Sequence, residues 1–163
     1  MMQYYPLAPG NQWTYRQKDG STYTNAVSTK EGAVFTMKNS LQAEPTRVKV
    51  EGGVMYNELM SPGNFQPWLK DDLHAGDTWE AAFTANGLQS IMEFKVKETG
   101  ISREVHGTMY PDVVMLEAES KIDMNGNRIS TNFFTQYYYA KGVGLILTTS
   151  SLGDEHALTA YTI

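Results

Sequence analysis

The 163-residue sequence contains no cysteine. That single absence removes disulfides, thiolate metal sites and cysteine nucleophiles. Charge is also scarce, at 19% Asp, Glu, Lys and Arg, where about 25% is usual for a soluble domain. The net charge is −5, and Lys and Arg stand in small scattered groups such as Arg16-Gln17-Lys18 and Lys95-Val96-Lys97. Phosphate backbones are bound by clustered cations, so nucleic acid is excluded as a partner. No apolar run approaches the ~20 residues of a membrane-spanning helix. Met1-Met2-Gln3-Tyr4-Tyr5-Pro6 carries neither the basic nor the apolar part of a signal peptide. The chain as it stands reads as cytoplasmic, or as periplasmic or cell-surface if a leader was removed.

Catalytic patterns are equally thin. The three histidines, His74, His106 and His156, have no second ligand at a metal-binding spacing. His74 near Asp71, Asp72 and Asp77 reads as a solvated turn rather than an oxygen-rich metal site. Asp123-Met124-Asn125-Gly126 begins like a calcium loop, but the glycine comes too early, and Phe134 stands where a bidentate Glu is needed. There is no Gly-x-Ser-x-Gly elbow and no glycine loop opening a helix. Glu117 and Glu119 share a strand face, with Glu93 placed to sit across from one of them. Paired carboxylates can hydrolyse glycosides, but on an alternating strand they read as the solvent face. No metal and no cofactor is expected, and the chain reads as a non-enzyme.

The surplus is in Thr, Ser, Asn, Gln, Tyr and Gly, a mixture typical of β-sheet surfaces and turns. The chain is organised around Phe133 to Leu147. An aromatic run (Phe133-Phe134-Thr135-Gln136-Tyr137-Tyr138-Tyr139) and an aliphatic one (Leu145-Ile146-Leu147) flank Gly142 and Gly144. Aromatic and β-branched residues suit a pleated, half-buried surface. The two glycines allow angles or close approaches that a Cβ forbids, so the stretch predicts a bent or hairpinned pair of central strands. Elsewhere, Trp13 and Tyr15 alternate with polar neighbours, as do Thr46, Val48 and Val50, and Ile91 to Lys97. Asp19-Gly20, Glu31-Gly32, Gly52-Gly53, Gly100 and Asn125-Gly126 supply turns. Ser61 to Pro67 reads as a loop over an opening, with a short helix admitted at Pro67 to Leu73. The sum is a single all-β domain over 1–163, with about eleven strands spaced as in sandwiches and barrels. A meander this long must protect its edges by curling or closing. The expected fold is therefore a strongly curved antiparallel sheet or a meander barrel, open or closed.

Leu7-x-x-Gly10-Asn11-x-Trp13 is echoed by Leu73-x-x-Gly76-Asp77-x-Trp79. Each predicts a tight turn that delivers a Trp to the start of a strand. The echo points to an internal duplication, with halves 1–66 and 67–163. Pro6-Leu7-x-x-Gly10-x-x-Trp13-x-Tyr15, the second Leu-x-x-Gly-Asp-x-Trp and Tyr138-Tyr139-Ala140-Lys141-Gly142-Val143-Gly144-Leu145 occur in that order. Together they resemble a group of uncharacterised bacterial β-rich domains, many exported or lipid-anchored. The resemblance spans nearly the whole chain and brings no catalytic residues with it. At the level of fold it is similar to the half-barrel lipoprotein carriers, in which a curved sheet holds an apolar groove.

Aromatics and the nine methionines are the remaining functional signal. Trp13, Trp79, Met92, Phe94, Met115 and Leu116 are read as lining the same interior as Tyr137 and Tyr139, either as ordinary core or as the wall of a cavity. The first reading is a binding module for a hydrophobic small molecule, lipid or peptide, with Phe65, Trp68, Trp79, Tyr137 and Tyr139 as contact residues. The alternative is a structural or interaction domain that forms a homodimer or pairs through a sheet edge.

Overall fold

The computed structural model describes residues 1–163 and contains no helix. Its strands are β1 (Gln12–Gln17), β2 (Thr22–Glu31), β3 (Val34–Asn39), β4 (Thr46–Glu51), β5 (Val54–Glu58) and β6 (Phe65–Lys70), then β7 (Thr78–Ala85), β8 (Leu88–Val105), β9 (Thr108–Met124), β10 (Asn127–Ala140), β11 (Gly144–Ser150) and β12 (Glu155–Thr162). All join one sheet in the order β6-β5-β4-β3-β2-β1-β12-β11-β10-β9-β8-β7. Two six-stranded meanders are thus fused where β1 pairs antiparallel with β12. The outer strands β6 and β7 come round to face each other. Side chains bridge the gap: Asn64 Nδ2 donates to the Ala82 carbonyl at 3.2 Å, and Gln66 Oε1 accepts from the Ala82 N–H at 3.1 Å. The sheet is therefore a nearly closed barrel with a seam.

The strand missing from the sequence reading is β6. No helix forms at 67–73, and the loop ends at Asn64. Pro67 signalled a break because it has no N–H to donate. At the seam that donor is not needed, and a bulge after Pro67 lets Trp68 and Leu69 both reach inward positions. Gly100 is likewise no turn. It lies inside β8 at φ +64, where the pairing with β9 slips between Glu98 and Ile101.

Alternation decides what faces the bore. Trp79, Phe94, Ala118 and Thr135 form one inward cross-strand row, and Leu116 pairs with Tyr137. The small Ala118 leaves room for the flanking rings. Met115, expected inside, pairs with Tyr138 and so takes the other face. On that outer face, Arg16, Ala157, Leu147, Tyr138 and Met115 form a second row. Leu147 is nonetheless only 3% exposed. Its cover is the long β8–β9 hairpin, which bends at its bulges and folds back outside the barrel. Arg103 lies over the Tyr138 ring at 4.9 Å, and Val105 and Tyr110 are buried.

The lead-in 1–11 plugs one end of the bore. Met2, Tyr5 and Leu7 are buried. The Tyr5 ring meets Trp13 edge-on at 4.8 Å, and the Gln3 carbonyl accepts from Gly142 N–H at 2.7 Å. The two echoed turns are built alike. Gly10 N–H donates to Val27 O at 2.9 Å and Gly76 N–H to Val96 O at 2.8 Å. Asn11 N–H reaches Ala8 O and Asp77 N–H reaches His74 O, both at 3.0 Å, while Val27 and Val96 return a bond to Asn11 O and Asp77 O, both at 2.9 Å. Gly10 and Gly76 stand at φ +94 and +95, a region that favours glycine.

Candidate functional site

Odd strands run away from the plugged end, so the other end of the barrel collects the turns β1–β2, β3–β4, β5–β6, β7–β8, β9–β10 and β11–β12. A cavity of about 290 Å³ enters the bore from this side. Its floor is the plug and the wall behind it: Tyr5, Tyr139 and Leu145. Met37, Val48, Met55, Trp68 and Tyr137 form the sides, and Asn25, Asn39, Gln42 and Asn57 stand around them. The strands impose this pattern. Val48 faces Phe35 and Asn57 across the ladder, and Asn25 faces Asn39, so inward positions alternate with the charged outer residues Arg47 and Lys49.

The cavity wall belongs to a chain of ring contacts that crosses the interior. Trp79 stacks on Phe94 at 5.5 Å, Phe94 meets Trp68 edge-on at 4.8 Å, and Trp68 meets Tyr137 at 5.9 Å. Tyr137 then stacks on Tyr139 at 6.5 Å, and Tyr139 contacts Tyr5 at 6.0 Å. Such pairs contribute beyond simple burial. Burial pushes the Tyr137 hydroxyl up to about 12, and those of Tyr5 and Tyr139 higher still. All three stay neutral at ordinary pH.

The charged residues at the rim neutralise each other. Arg47 donates to both Glu58 carboxylate oxygens through Nε and Nη2, and Gly63 N–H also donates to Glu58 at 2.8 Å. The Arg47 hydrogen bonds hold Glu58 below the usual carboxylate range. The amides of Asn25, Gln42 and Asn57 make no side-chain hydrogen bond within the protein. They are therefore free to pair with something in the cavity.

Of the five contact residues expected from the sequence, Trp68, Tyr137 and Tyr139 line the cavity. Phe65 does not. It points outward beneath Arg47 and Lys49, whose charged groups lie 5.5 and 5.3 Å from its ring. Trp79 is packed behind Phe94, with Lys70 Nζ 5.0 Å from its ring. Sequence reasoning missed Met37, Met55 and the amides. The period-two pattern of β2, β3 and β5 places Asn25, Met37, Met55 and Asn57 on inward faces, with Gln42 in the β3–β4 turn, but gives no sign that β2 to β5 surround open space. A second recess of about 590 Å³ lies at the plugged end, between the lead-in and residues such as Phe35 and Val50.

The acidic residues do not converge on a cleft. Glu93 faces Glu80 and Glu119 across the outer ladder. Lys121 Nζ lies 2.8 Å and Arg128 3.0 Å from its carboxylate, and these partners hold it below its usual range, opposite to what a general acid needs. Glu117 accepts from Gln136 at 3.0 Å. His106 sits at the tip of the β8–β9 hairpin beside Arg16 and Glu155. Asp123 caps its hairpin turn by accepting from Gly126 N–H at 3.0 Å.

Comparison with solved structures finds the same architecture end to end. One crystal structure, from Bacteroides fragilis, is described as an exported protein with a YmcC-like fold; it superposes with a TM-score of 0.62 at 10% identity over 100% of both chains. The fold is similar to the YmcC-like fold. A second, described as a lipoprotein from Parabacteroides distasonis, matches at 0.62 with 11% identity over 99% of each chain. No protein-family model and no curated protein matches the sequence. At these identities the likeness is one of fold.

Proposed function

We propose that this chain is a non-enzymatic binding module, which holds the apolar part of a small molecule, lipid or peptide end in the barrel cavity. The observation that carries the reading is the cavity itself: aromatic and methionine walls with neutral amides left free among them. Apolar walls with a few convergent polar groups are the usual make-up of a ligand site. Methionine side chains adapt to varied partners. In this reading Trp68 and Tyr137 contact the ligand, and Asn25 and Asn57 orient it. The fold neighbours described as an exported protein and a lipoprotein support a place outside the cytoplasm. Edge pairing has less support, because β6 and β7 shield each other across the seam. We also infer that the two meanders derive from one duplicated unit, with the division falling between β6 and β7 rather than at the expected 66/67, which lies inside β6; the matched hydrogen bonds of the two Gly-Trp turns support it.

Native mass spectrometry of protein purified without detergent tests the binding reading. The expected result is a mass above 18.2 kDa that falls to the bare chain on denaturation, and that is absent from Tyr137→Ala. A bare monomer that takes up no apolar ligand on titration refutes it. A bare dimer moves the reading to an interaction domain.

A further inference from the structure

The exposed large apolar side chains are unevenly placed. Five sit at or beside the tips of turns at the cavity end: Leu41 (63% exposed), Met60 (68%), Leu88 (43%), Met124 (49%) and Leu152 (79%). They belong to β3–β4, β5–β6, β7–β8, β9–β10 and β11–β12, five of the six turns that ring the mouth. The plugged end exposes Met1, Tyr161 and Ile163 at the chain termini, and Met109 is exposed beside the folded-back β8–β9 turn, but the turns at 32–33, 52–53, 71–77 and 141–143 expose none. Isolated exposed leucines need no explanation, but a ring of them around one opening does. Met60 even adopts φ +63, a backbone region that an unbranched side chain enters at a cost.

Besides the mutually paired Arg47 and Glu58, charge in the same ring is sparse and mainly acidic. The segments 59–64, 86–87 and 125–126 contain no charged residue, and the other three turns hold Lys18 against Asp19, Glu44 and Asp154. With a net charge of −5 and a single lysine in these turns, an anionic surface would repel this rim. A surface of zero net charge would not. The apolar side chains also stand on separate tips around the bore and cannot cover one another. A protein partner would need a matching pocket for each, whereas fluid lipid accepts each one independently.

We infer that this rim docks on a zwitterionic lipid surface, with the ring of Leu and Met tips entering the headgroup boundary and the cavity mouth facing the lipid. The inference rests on the rim alone and stands apart from what the cavity holds.

Flotation of the full chain with phosphatidylcholine vesicles tests it, beside the triple variant Leu41→Ser, Met60→Ser and Leu152→Ser. All three side chains are exposed, so the variant keeps the near-ultraviolet circular dichroism of the parent. The parent is expected to float, and the variant to partition about tenfold more weakly, from the loss of three apolar contacts. Phosphatidylglycerol in the vesicles should weaken binding at low salt. A parent that stays unbound at excess lipid, a variant that floats equally well, or binding that requires phosphatidylglycerol overturns the proposal. So does gel filtration showing a parent dimer and a variant monomer, since the ring would then join two copies of the chain. An empty cavity by mass spectrometry alongside normal flotation would refute the binding module and leave this inference intact.

Discussion

The indole N–H of Trp13 donates to the carbonyl of Val143 at 2.7 Å, tying the start of the first strand to the turn between β10 and β11. The Tyr15 hydroxyl repeats the tie two residues on, donating to Leu145 O at 2.7 Å. These contacts hold the two meanders together beside the β1–β12 ladder. They also explain Gly144. A Cβ on Gly144 would stand 2.9 Å from Trp13 Nε1, and its φ is +121.

Gly144→Ala should therefore destabilise the protein by about 2–4 kcal/mol, combining backbone strain with a steric clash that the buried indole cannot relieve. Gly142 also has a positive φ, +77, but open space around it. Gly142→Ala should lose only about 1 kcal/mol. Urea unfolding of both variants checks the pair. Equal losses would show that the indole can move aside.

The two echoed tryptophans should respond differently to Phe. Trp13→Phe leaves the Val143 carbonyl without its donor, whereas the buried Trp79 Nε1 has no acceptor within reach. Removing a satisfied donor strands its partner, and removing an unsatisfied one relieves a desolvation penalty. Trp13→Phe should lose about 1–3 kcal/mol more than Trp79→Phe, as read by chemical denaturation.

Alkaline pH should unfold the protein through its tyrosines. Burial raises Tyr137 to about 12, with Tyr5, Tyr15 and Tyr139 raised further. A phenol whose folded value lies above its unfolded one stabilises the protein fully below the unfolded value, near 10. That stability drains away as pH rises through the folded value. A tyrosinate absorbance titration should show the exposed rings ionising first and the buried set only together with loss of β-sheet circular dichroism. Smooth ionisation of all ten tyrosines with the sheet intact would contradict this.

Arg128 offsets a row of like charges. Glu80, Glu93 and Glu119 face one another on adjacent strands, which is unfavourable without intervening cations. Arg128 bonds to Glu80 and Glu93. Arg128→Ala should lower the melting temperature at neutral pH. Hydrogen bonds from Arg128 and Lys121 hold Glu80 and Glu93 below 4.5, so the parent keeps that stability above 4.5 and loses it as pH falls. The deficit of the variant should shrink over the same acid range, because protonation removes the repulsion. A deficit independent of pH would point to lost packing by the arginine stem instead.

Much of the fold is legible in the chain. Period-two alternation and the Gly-containing turns mark most strands and their inward faces. The Tyr137–Tyr139 run correctly announces two rings on one side and one on the other. The misreadings have local causes. Pro67 reads as a breaker because a sequence does not show that its strand lies at a seam. Gly100 reads as a turn because a bulge uses the same backbone angles. Of the contact residues, Trp68, Tyr137 and Tyr139 reach the cavity, while Phe65 and Trp79 do not. An aromatic residue looks the same in sequence whether it lines a void, fills a core or lies under an arginine.

Composition and periodicity alone determined that this protein is an all-β domain with an aromatic interior, no cysteine and a net charge of −5. Those properties follow from side-chain volume, charge and the alternation of a pleated strand. The tertiary structure decided which end of the barrel is plugged, where the bore stays open, and that five Leu and Met tips surround the same opening. Each depends on which distant segments meet as the sheet closes, and local sequence carries no record of that distance.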